Sequence, residues 1–337
     1  MDFLDAMLTK AKSLQKRLVL AKGTEPETIK AARVILNERL AVTVTLLGKK
    51  SDITKIASKE GVDLSDLEII EPEFSSDLDK YAEEYSKIHI NETMKHKNIK
   101  HEKARTEIIK PLNWGAMMVR LGRADAVVGG AESSSVDVLN AGLDIIGTAP
   151  GIKTASSATV LLSKDPSWGV DGAFIFSDCS IIFNPTAEEL SDITLSAAQS
   201  CRDFLSTEPV VALLSYSTKG SKSDDKGLEK VRTALKLVKK RDPKLIIDGE
   251  MQVDAALLPS TTDYLAPGSP VRGKVNTLIF PDMEAGNIGY QLARSFGKAS
   301  TYGPFLQGLA KPISYIPHGA MSNRVVVICA ATLARAK

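Results

Sequence analysis

A short apolar run at residues 275–280 limits most strongly what this chain can fold into. The run has the length of a β-strand that is buried on both faces, and a proline-aspartate pair ends it abruptly. A helical pattern follows over residues 286–296, in which Ile288, Leu292 and Phe296 recur at helical spacing. This part of the chain therefore predicts a buried strand, a turn and a helix in that order.

The same alternation of strand and helix recurs in the N-terminal part of the chain. Strand patterns lie at residues 17–21, 42–47 and 67–70, and helical patterns lie between them at residues 26–39 and 51–59. Thr24 is placed to cap the first of these helices. Such alternation is typical of an α/β fold, in which helices cover both faces of a parallel sheet.

The length of 337 residues exceeds that of most single domains, so we expect two domains. Pro150 and Gly151 interrupt the strand and helix pattern within the loop at residues 148–157. We place the crossing between the domains in this loop.

Charge and cysteine content argue against several classes of protein. A net charge of +2 gives no broad basic field, so neither nucleic acid nor a membrane is an expected partner. Three widely spaced cysteines and four scattered histidines form neither a disulfide framework nor a metal site. Residues 1–17 do not resemble a signal peptide, and no apolar run approaches the ~18 residues of a membrane span. We therefore expect a cytoplasmic location.

Two parts of the sequence are suited to binding a ligand. In the first, a strand pattern at residues 126–128 leads into a loop with Ser133, Ser134 and Ser135 and then into a helix. This order can cradle a phosphate, although Ser135 acting as an ordinary helix cap is the simpler interpretation. In the second, residues 263–312 carry small polar side chains among Gly268, Gly273, Gly286, Gly289, Gly303 and Gly308. Each glycine alone is better explained by a turn, but together they favour a site with free backbone amides.

Several long motifs resemble the phosphate acetyltransferase family, and they follow the family order along nearly the whole chain. They are GTEP at residues 23–26, KHK at 95–97, DIIGTAPGIKTASS at 144–157, DGEMQVDAAL at 248–257, GSPVRGKVN at 268–276, FPDMEAGNIGY at 280–290 and GPFLQGLAKP at 303–312. The resemblance implies a homodimer of chains with two three-layer α/β/α domains and a cleft between them, related to the isocitrate/isopropylmalate dehydrogenase fold. Domain I would comprise residues 1–149 completed by 305–337, and domain II residues 150–304.

The resemblance also implies a reaction of acetate metabolism, in which acetyl phosphate and CoA give acetyl-CoA and phosphate. CoA would be a substrate, with no other cofactor, and its thiolate would attack the acetyl carbonyl directly in a ternary complex. A base is needed because a thiol of pKa ~8.5 is little ionised at neutral pH, and the phosphate and the developing oxyanion need cations and hydrogen-bond donors. The substrate-binding residues that we predict are Ser133, Ser134, Ser135, Ser269, Arg272, Lys274, Asn287, Tyr290, Gln307 and Lys311.

The chain departs from the family pattern where this chemistry is concentrated. After K-P the family continues L-S-R-G, with an aspartate seven residues beyond the serine. Here Pro317 replaces the serine, His318 the arginine and Arg324 the aspartate. Two further arginines of the family pattern are replaced by Met94 and Asn140. Five polar positions of the site have therefore changed together.

Two interpretations of this divergence are open. In the first, which we favour, His318 takes the thiol proton and Arg324 binds phosphate or CoA, so both are catalytic residues of a phosphate acetyltransferase that is weak or uses another acyl phosphate. In the second, the protein binds CoA or a phosphorylated ligand in a regulatory role without catalysis. A third class, a nicotinamide-dependent dehydrogenase, would use Asp248, Asp254 or Asp282 as metal ligands, but the sequence contains no nucleotide-binding motif to support it.

Overall fold

The computed structural model describes residues 3–92, 101–130, 134–222 and 226–336. It divides the chain into two compact units. Unit 1 comprises Met1–Ala149 and Leu309–Lys337, and unit 2 comprises Pro150–Gly308. The strand Ser300–Gln307 pairs with a strand of unit 2, so residues 305–308 lie with unit 2 in this division.

The secondary structure alternates between strands and helices in both units. The strands are β1 Arg17–Leu20, β2 Thr43–Leu47, β3 Glu68–Ile70, β4 Ala126–Gly129, β5 Ser156–Leu162, β6 Ala173–Ser177, β7 Val210–Leu214, β8 Ile246–Met251, β9 Thr277–Ile279, β10 Ser300–Gln307 and β11 Ile313–Tyr315. The helices are α1 Phe3–Leu14, α2 Pro26–Asn37, α3 Lys50–Glu60, α4 Leu78–Glu92, α5 His101–Ile108, α6 Pro111–Arg120, α7 Ser135–Ala141, α8 Ala187–Leu205, α9 Lys226–Arg241, α10 Val253–Leu257, α11 Pro259–Leu265, α12 Met283–Ser295 and α13 Ser322–Leu333. A 3₁₀ turn at Pro72–Phe74 precedes α4, and a π-helical segment at Gly142–Ile146 continues α7.

Unit 1 is built on a parallel sheet in the order β11-β4-β1-β2-β3. Its helices form two groups, and the helices of each group pack against one another. One group is α1, α2, α3 and α13, and the other is α4 to α7 with the π-helical segment. Leu18, Val19 and Leu20 of the central strand are completely buried, so helices cover both faces of the sheet. Unit 1 is therefore a three-layer α/β/α domain.

Unit 2 contains a mixed sheet in the order β10-β5-β6-β9-β7-β8. The pairings of β5 with β10 and with β6 are antiparallel, whereas β6, β9, β7 and β8 are parallel neighbours. Helix α8 packs against α9 and against several strands. A core cluster that includes Phe174, Phe176, Met251 and Phe280 joins the sheet to α10, α11 and α12. Parallel and mixed sheets with packed helices confirm the α/β fold class.

The ends of predicted elements shift where local capping differs from the pattern. Helix α12 begins at Met283, earlier than predicted, because the Asp282 carboxylate accepts a hydrogen bond from Ala285 N at 2.8 Å. Thr24 is not the cap of α2, because the cap position is Glu25 and Pro26 begins the helix. Among the helices in the described ranges, none has the length and apolar character needed to cross a membrane.

Candidate active site

The carboxyl ends of the parallel strands form one edge of the sheet in unit 1. From β1 the chain moves outward to β2 and β3 on one side, and later forms β4 and β11 on the other side. The strand order therefore reverses between β1 and β4. In open parallel sheets, ligands bind outside the carboxyl ends of the strands at such a reversal.

A pocket of about 520 Å³ lies at this reversal. The segments that follow β1 and β2 contribute Lys22, Thr24 and Gly48 to its lining. Helix α7 and the π-helical segment contribute Asn140 and Asp144, and further lining comes from α4, α5 and the start of α6. Asn140 thus brings one of the divergent positions of the sequence into the pocket.

Close packing holds Lys22 at the end of β4. A Cβ atom on Gly130 would lie 2.1 Å from the Cβ atom of Lys22, so only glycine fits at position 130. Gly23 N donates a hydrogen bond to Leu47 O at 2.8 Å, which ties the same turn to β2. The turn after β1 is therefore held between the ends of its two neighbouring strands.

Charged groups of both signs line the pocket. Lys22 and Lys110 bring positive charge, whereas Glu107, Asp137 and Asp144 bring negative charge. Lys110 Nζ donates a hydrogen bond to Glu107 Oε2 at 2.6 Å. An anionic ligand would therefore be held by individual contacts with the ammonium groups and not by a broad positive field.

Tyr85 of α4 adds a hydroxyl group to the lining. Burial, with smaller contributions from the negative charges of Glu107 and Asp144, raises the pKa of Tyr85 from 10 to about 12. The hydroxyl group therefore stays protonated at physiological pH, and it can donate a hydrogen bond to a ligand oxygen.

The serine loop supplies a helix cap beside the pocket. Ser134 is the cap of α7, because its Oγ accepts a hydrogen bond from Asp137 N at 3.0 Å and its own N donates to Asp137 Oδ2 at 3.1 Å. Ser135 is already the first helical residue, so the alternative in which Ser135 is the cap is corrected. Ser133 lies outside the described residues. The Ser134 hydroxyl group is thus engaged in holding α7.

His318 lies in the segment that follows β11, and Arg324 lies in the first turn of α13. Both are exposed, and both line a small pocket of about 340 Å³ formed by residues 317–321, 323 and 324. Since β11 runs parallel to β4, this segment leaves the sheet at the same edge as the larger pocket. Lys311 precedes β11 and is exposed at the opposite, amino end of that strand. The structure therefore groups His318 with Arg324 and separates Lys311 from them.

Gln307 is part of the core of unit 2, and 1% of it is exposed. Its Nε2 donates hydrogen bonds to Ser156 Oγ and Ser177 Oγ, each at 2.9 Å, and its Oε1 accepts one from Ser200 Oγ at 2.7 Å. The side chain that we predicted to bind substrate therefore joins β10 to β5, β6 and α8 inside the protein.

The glycine-rich segment at residues 268–274 also forms internal contacts. Ser269 Oγ donates a hydrogen bond to the buried carboxylate of Asp248. Arg272 forms two hydrogen bonds of 2.7 Å with Asp263, and both side chains are exposed. Lys274 is exposed. Among Ser269, Arg272 and Lys274, the Lys274 side chain is the one that forms no hydrogen bond or ion pair with the described part of the chain.

Asn287 and Tyr290 lie on α12. Asn287 Nδ2 donates a hydrogen bond to Cys179 O at 3.2 Å, and the Tyr290 hydroxyl group accepts one from Gln291. A Cβ atom on Gly286 would lie 2.4 Å from Asp178 O, so this glycine allows α12 to approach the chain itself. The glycine at position 286 is therefore explained by the packing of α12 against the backbone at Asp178 within unit 2.

Sequence reasoning missed several residues that line the larger pocket, including Lys22, Tyr85, Lys110 and Asp144. The available signal was their position, because Lys22 directly follows β1 and carboxyl ends of parallel strands meet at one edge. Tyr85 and Lys110 carry no such signal, since the packing of α4 and α5 determines where their side chains lie.

Comparisons with known proteins agree with this architecture. The family model for phosphate acetyl/butaryl transferase matches residues 2–333. A protein of Treponema pallidum named phosphate acetyltransferase is 47% identical, over 99% of this chain and 98% of that protein. A crystal structure of a phosphotransacetylase from Streptococcus pyogenes superposes with a TM-score of 0.91 at 32% identity, over 99% of this chain and 98% of that chain.

These matches define an acyltransferase with an α/β fold. The chain belongs to the phosphate acetyl/butaryl transferase family, so the resemblance drawn from its motifs is confirmed. A structure described as a putative 4-hydroxythreonine-4-phosphate dehydrogenase from Salmonella typhimurium has a TM-score of 0.54 at 10% identity, over 96% of this chain and 100% of that chain. That likeness concerns the fold alone, and the dehydrogenase interpretation gains no further support.

Proposed function

We propose that this protein is a phosphate acetyltransferase that converts acetyl phosphate and CoA into acetyl-CoA and phosphate. The full-length match to relatives with this name is the observation that carries the proposal. The thiolate sulfur of CoA attacks the acetyl carbonyl carbon, and phosphate leaves as its bond to that carbon breaks. CoA enters as a substrate, and no other cofactor takes part.

Lys22 and Lys110 are our candidates for binding the phosphate group. The family arginines at positions 94 and 140 are replaced by Met94 and Asn140, and Asn140 shares its pocket with both lysines. The Lys110 side chain is 58% exposed in its pair with Glu107, and exposed pairs of this kind contribute at most ~1 kcal/mol. Lys110 can therefore exchange Glu107 for a phosphate oxygen with little loss.

Turnover of several short acyl phosphates with CoA, measured as loss of free thiol, tests this function. We expect Lys110→Met to raise the KM for acetyl phosphate by ~10-fold, because a hydrogen bond to a charged group contributes ~1.5 kcal/mol or more. Lys236→Met, at an exposed position of α9, is the control and should leave this KM unchanged. If no acyl phosphate reacts faster than without the protein, the proposal fails and the regulatory interpretation replaces it.

We also propose that the protein is a homodimer that forms through α12. Ile288, Leu292 and Phe296 lie on one stripe of this helix and just beyond its end, and they are 59%, 50% and 85% exposed. Within α12 the buried residue is Gly286. Another face of α12 packs on the core of unit 2 through Ala285 and Ala293, so the stripe is left for a partner, and a second copy presents the same stripe across a two-fold axis.

We further propose a cytoplasmic location and no nucleic-acid or membrane partner. Cys179, Cys201 and Cys329 are buried and form no disulfide, which fits a reducing compartment. The net charge of +2 fits small anionic substrates and offers no field for a polyanion.

A further inference from the structure

The ammonium group of Lys230 has an unusual hydrogen-bond partner. Lys230 Nζ donates to the neutral amide oxygen Asn184 Oδ1 at 2.9 Å. Lys30, Lys110 and Lys219 instead donate to carboxylates. Lys230 is also half-buried, so water and counter-charge stabilise its ammonium form less than that of an exposed lysine.

Three segments of unit 2 meet near this amine, which remains partly open to solvent because its partner Asn184 is exposed. Lys230 comes from α9, and Asn184 comes from the segment that follows β6. Met283 N donates a hydrogen bond to Phe183 O at 3.0 Å, which joins that segment to the start of α12. Asp282, the cap of α12, brings a negative charge that acts on Lys230. The amine therefore lies where the parallel strands β6 and β9 end.

The surroundings of Lys230 shift its protonation equilibrium from the ammonium form toward the neutral amine. Burial lowers the pKa of Lys230, and the negative charge of Asp282 offsets only part of this effect. A lysine with a lowered pKa holds a larger fraction of neutral, nucleophilic nitrogen than a lysine with the ordinary value.

We propose that Lys230 is a site of covalent acylation by an acyl phosphate. The lysine nitrogen attacks the acyl carbonyl carbon and a C–N bond forms. The bond between that carbon and the phosphate oxygen breaks, inorganic phosphate leaves with the electron pair, and the nitrogen releases a proton to solvent. The resulting amide keeps an N–H group for Asn184 and removes the positive charge near Asp282.

A time course of acetylation on the full-length protein tests this inference. The protein is incubated with acetyl phosphate without CoA, and each lysine is followed by peptide mass spectrometry. We expect Lys230 to react severalfold faster than Lys236 and Lys239, which are exposed on the same helix. Equal rates at the three lysines, or no modification of Lys230, would overturn the inference.

Two substitutions at Asn184 separate a chemical cause from simple accessibility. Asn184→Asp gives Lys230 a carboxylate partner of the same shape, so its acetylation should slow to the rate of Lys236. Asn184→Ala removes the partner without adding charge and should not slow it. If Asn184→Asp leaves the rate unchanged, the inference is wrong. Because CoA is absent, this result is independent of whether the protein transfers acetyl groups to CoA.

Discussion

His318 and Arg324 decide whether the divergent segment after β11 supports catalysis. Both side chains are exposed beside the same small pocket. An imidazole is the side chain that exchanges a proton most readily near neutral pH, and a guanidinium binds phosphate through several donors. The pair can therefore supply a base, His318, at the position of the family arginine and a cation, Arg324, at the position of the family aspartate.

We expect His318→Ala to lower kcat by ~100-fold or more, since a positioned general base contributes ~10²–10⁴ in rate. Arg324→Ala should chiefly raise the KM for CoA or acetyl phosphate. Steady-state kinetics of both variants measure these effects. Replacing Pro317, His318 and Arg324 together by Ser, Arg and Asp restores the family residues at these three positions. If only this triple variant is active, the natural protein is the regulatory homologue.

Glu250 shows how a buried charge is stabilised in unit 2. It accepts hydrogen bonds from Arg232 Nε at 2.9 Å, Gly220 N at 2.8 Å and Ser217 Oγ at 3.1 Å, with 3% of its side chain exposed. Burial opposes its ionisation, but the hydrogen bonds from Arg232, Gly220 and Ser217 outweigh burial and lower the pKa of Glu250 from 4.5 to about 2.

We expect Glu250→Gln to lower the free energy of unfolding by ~3 kcal/mol at neutral pH, because it leaves the Arg232 charge without its partner. Since the folded-state pKa is depressed, this stabilisation is complete above about 4.5 and is lost as pH falls through about 2. The difference from wild type should therefore shrink in acid. Urea unfolding of both proteins at neutral pH and near pH 3 measures this difference in the free energy of unfolding, with Glu73→Gln at an exposed position as control. An unchanged difference in acid would contradict this account.

At the scale of elements, α13 begins without a side-chain cap of its own, since Met321 holds the cap position. Glu27 of α2 takes that role, because Glu27 Oε2 accepts a hydrogen bond from Ser322 N at 2.6 Å. Hydrogen bonds from Lys30 and from Ser322 N lower the pKa of Glu27. A carboxylate from a distant part of the sequence thus holds the start of the helix that follows His318.

We expect Glu27→Ala to destabilise the protein by ~1 kcal/mol, the usual effect of losing a helix cap. Glu27→Gln keeps an oxygen acceptor for Ser322 N and should lose less. Lys30→Met is the control for the neighbouring ion pairs of Lys30 with Glu27 and Glu60, because it leaves the cap in place. Thermal unfolding of the three variants measures these effects, and equal losses for Ala and Gln would argue against a capping role.

At the scale of the whole molecule, the apolar stripe on α12 determines the expected assembly. Leu292→Glu places a charge within the stripe and should convert the dimer into a monomer, because burying an unpaired charge opposes association. Phe74→Glu is a matched control, since Phe74 is 81% exposed in unit 1 and should not affect assembly. Light scattering coupled to size-exclusion chromatography measures the mass. A monomeric wild-type protein, or a dimeric Leu292→Glu variant, would contradict the proposed interface.

Local pattern predicts some elements of this molecule well and others poorly. Helix α8 and strand β7 follow from apolar spacing, because that spacing reflects which side chains are buried. Local pattern does not predict strand β10, since Gly303 and Pro304 are unfavourable in strands and the register with β5 shifts beside them. The stripe of Ile288, Leu292 and Phe296 correctly predicts a helix, but helical spacing does not distinguish a core face from an exposed one.

The sequence by itself determined the family, the α/β class and most of the order of strands and helices, because these depend on motifs and on local periodicity. Only the tertiary structure decided that Gln307 belongs to the core and that Asn140 shares a pocket with Lys22 and Lys110. The reason is that strand order and helix packing bring together side chains that are distant along the chain, and local sequence patterns carry no record of those neighbours.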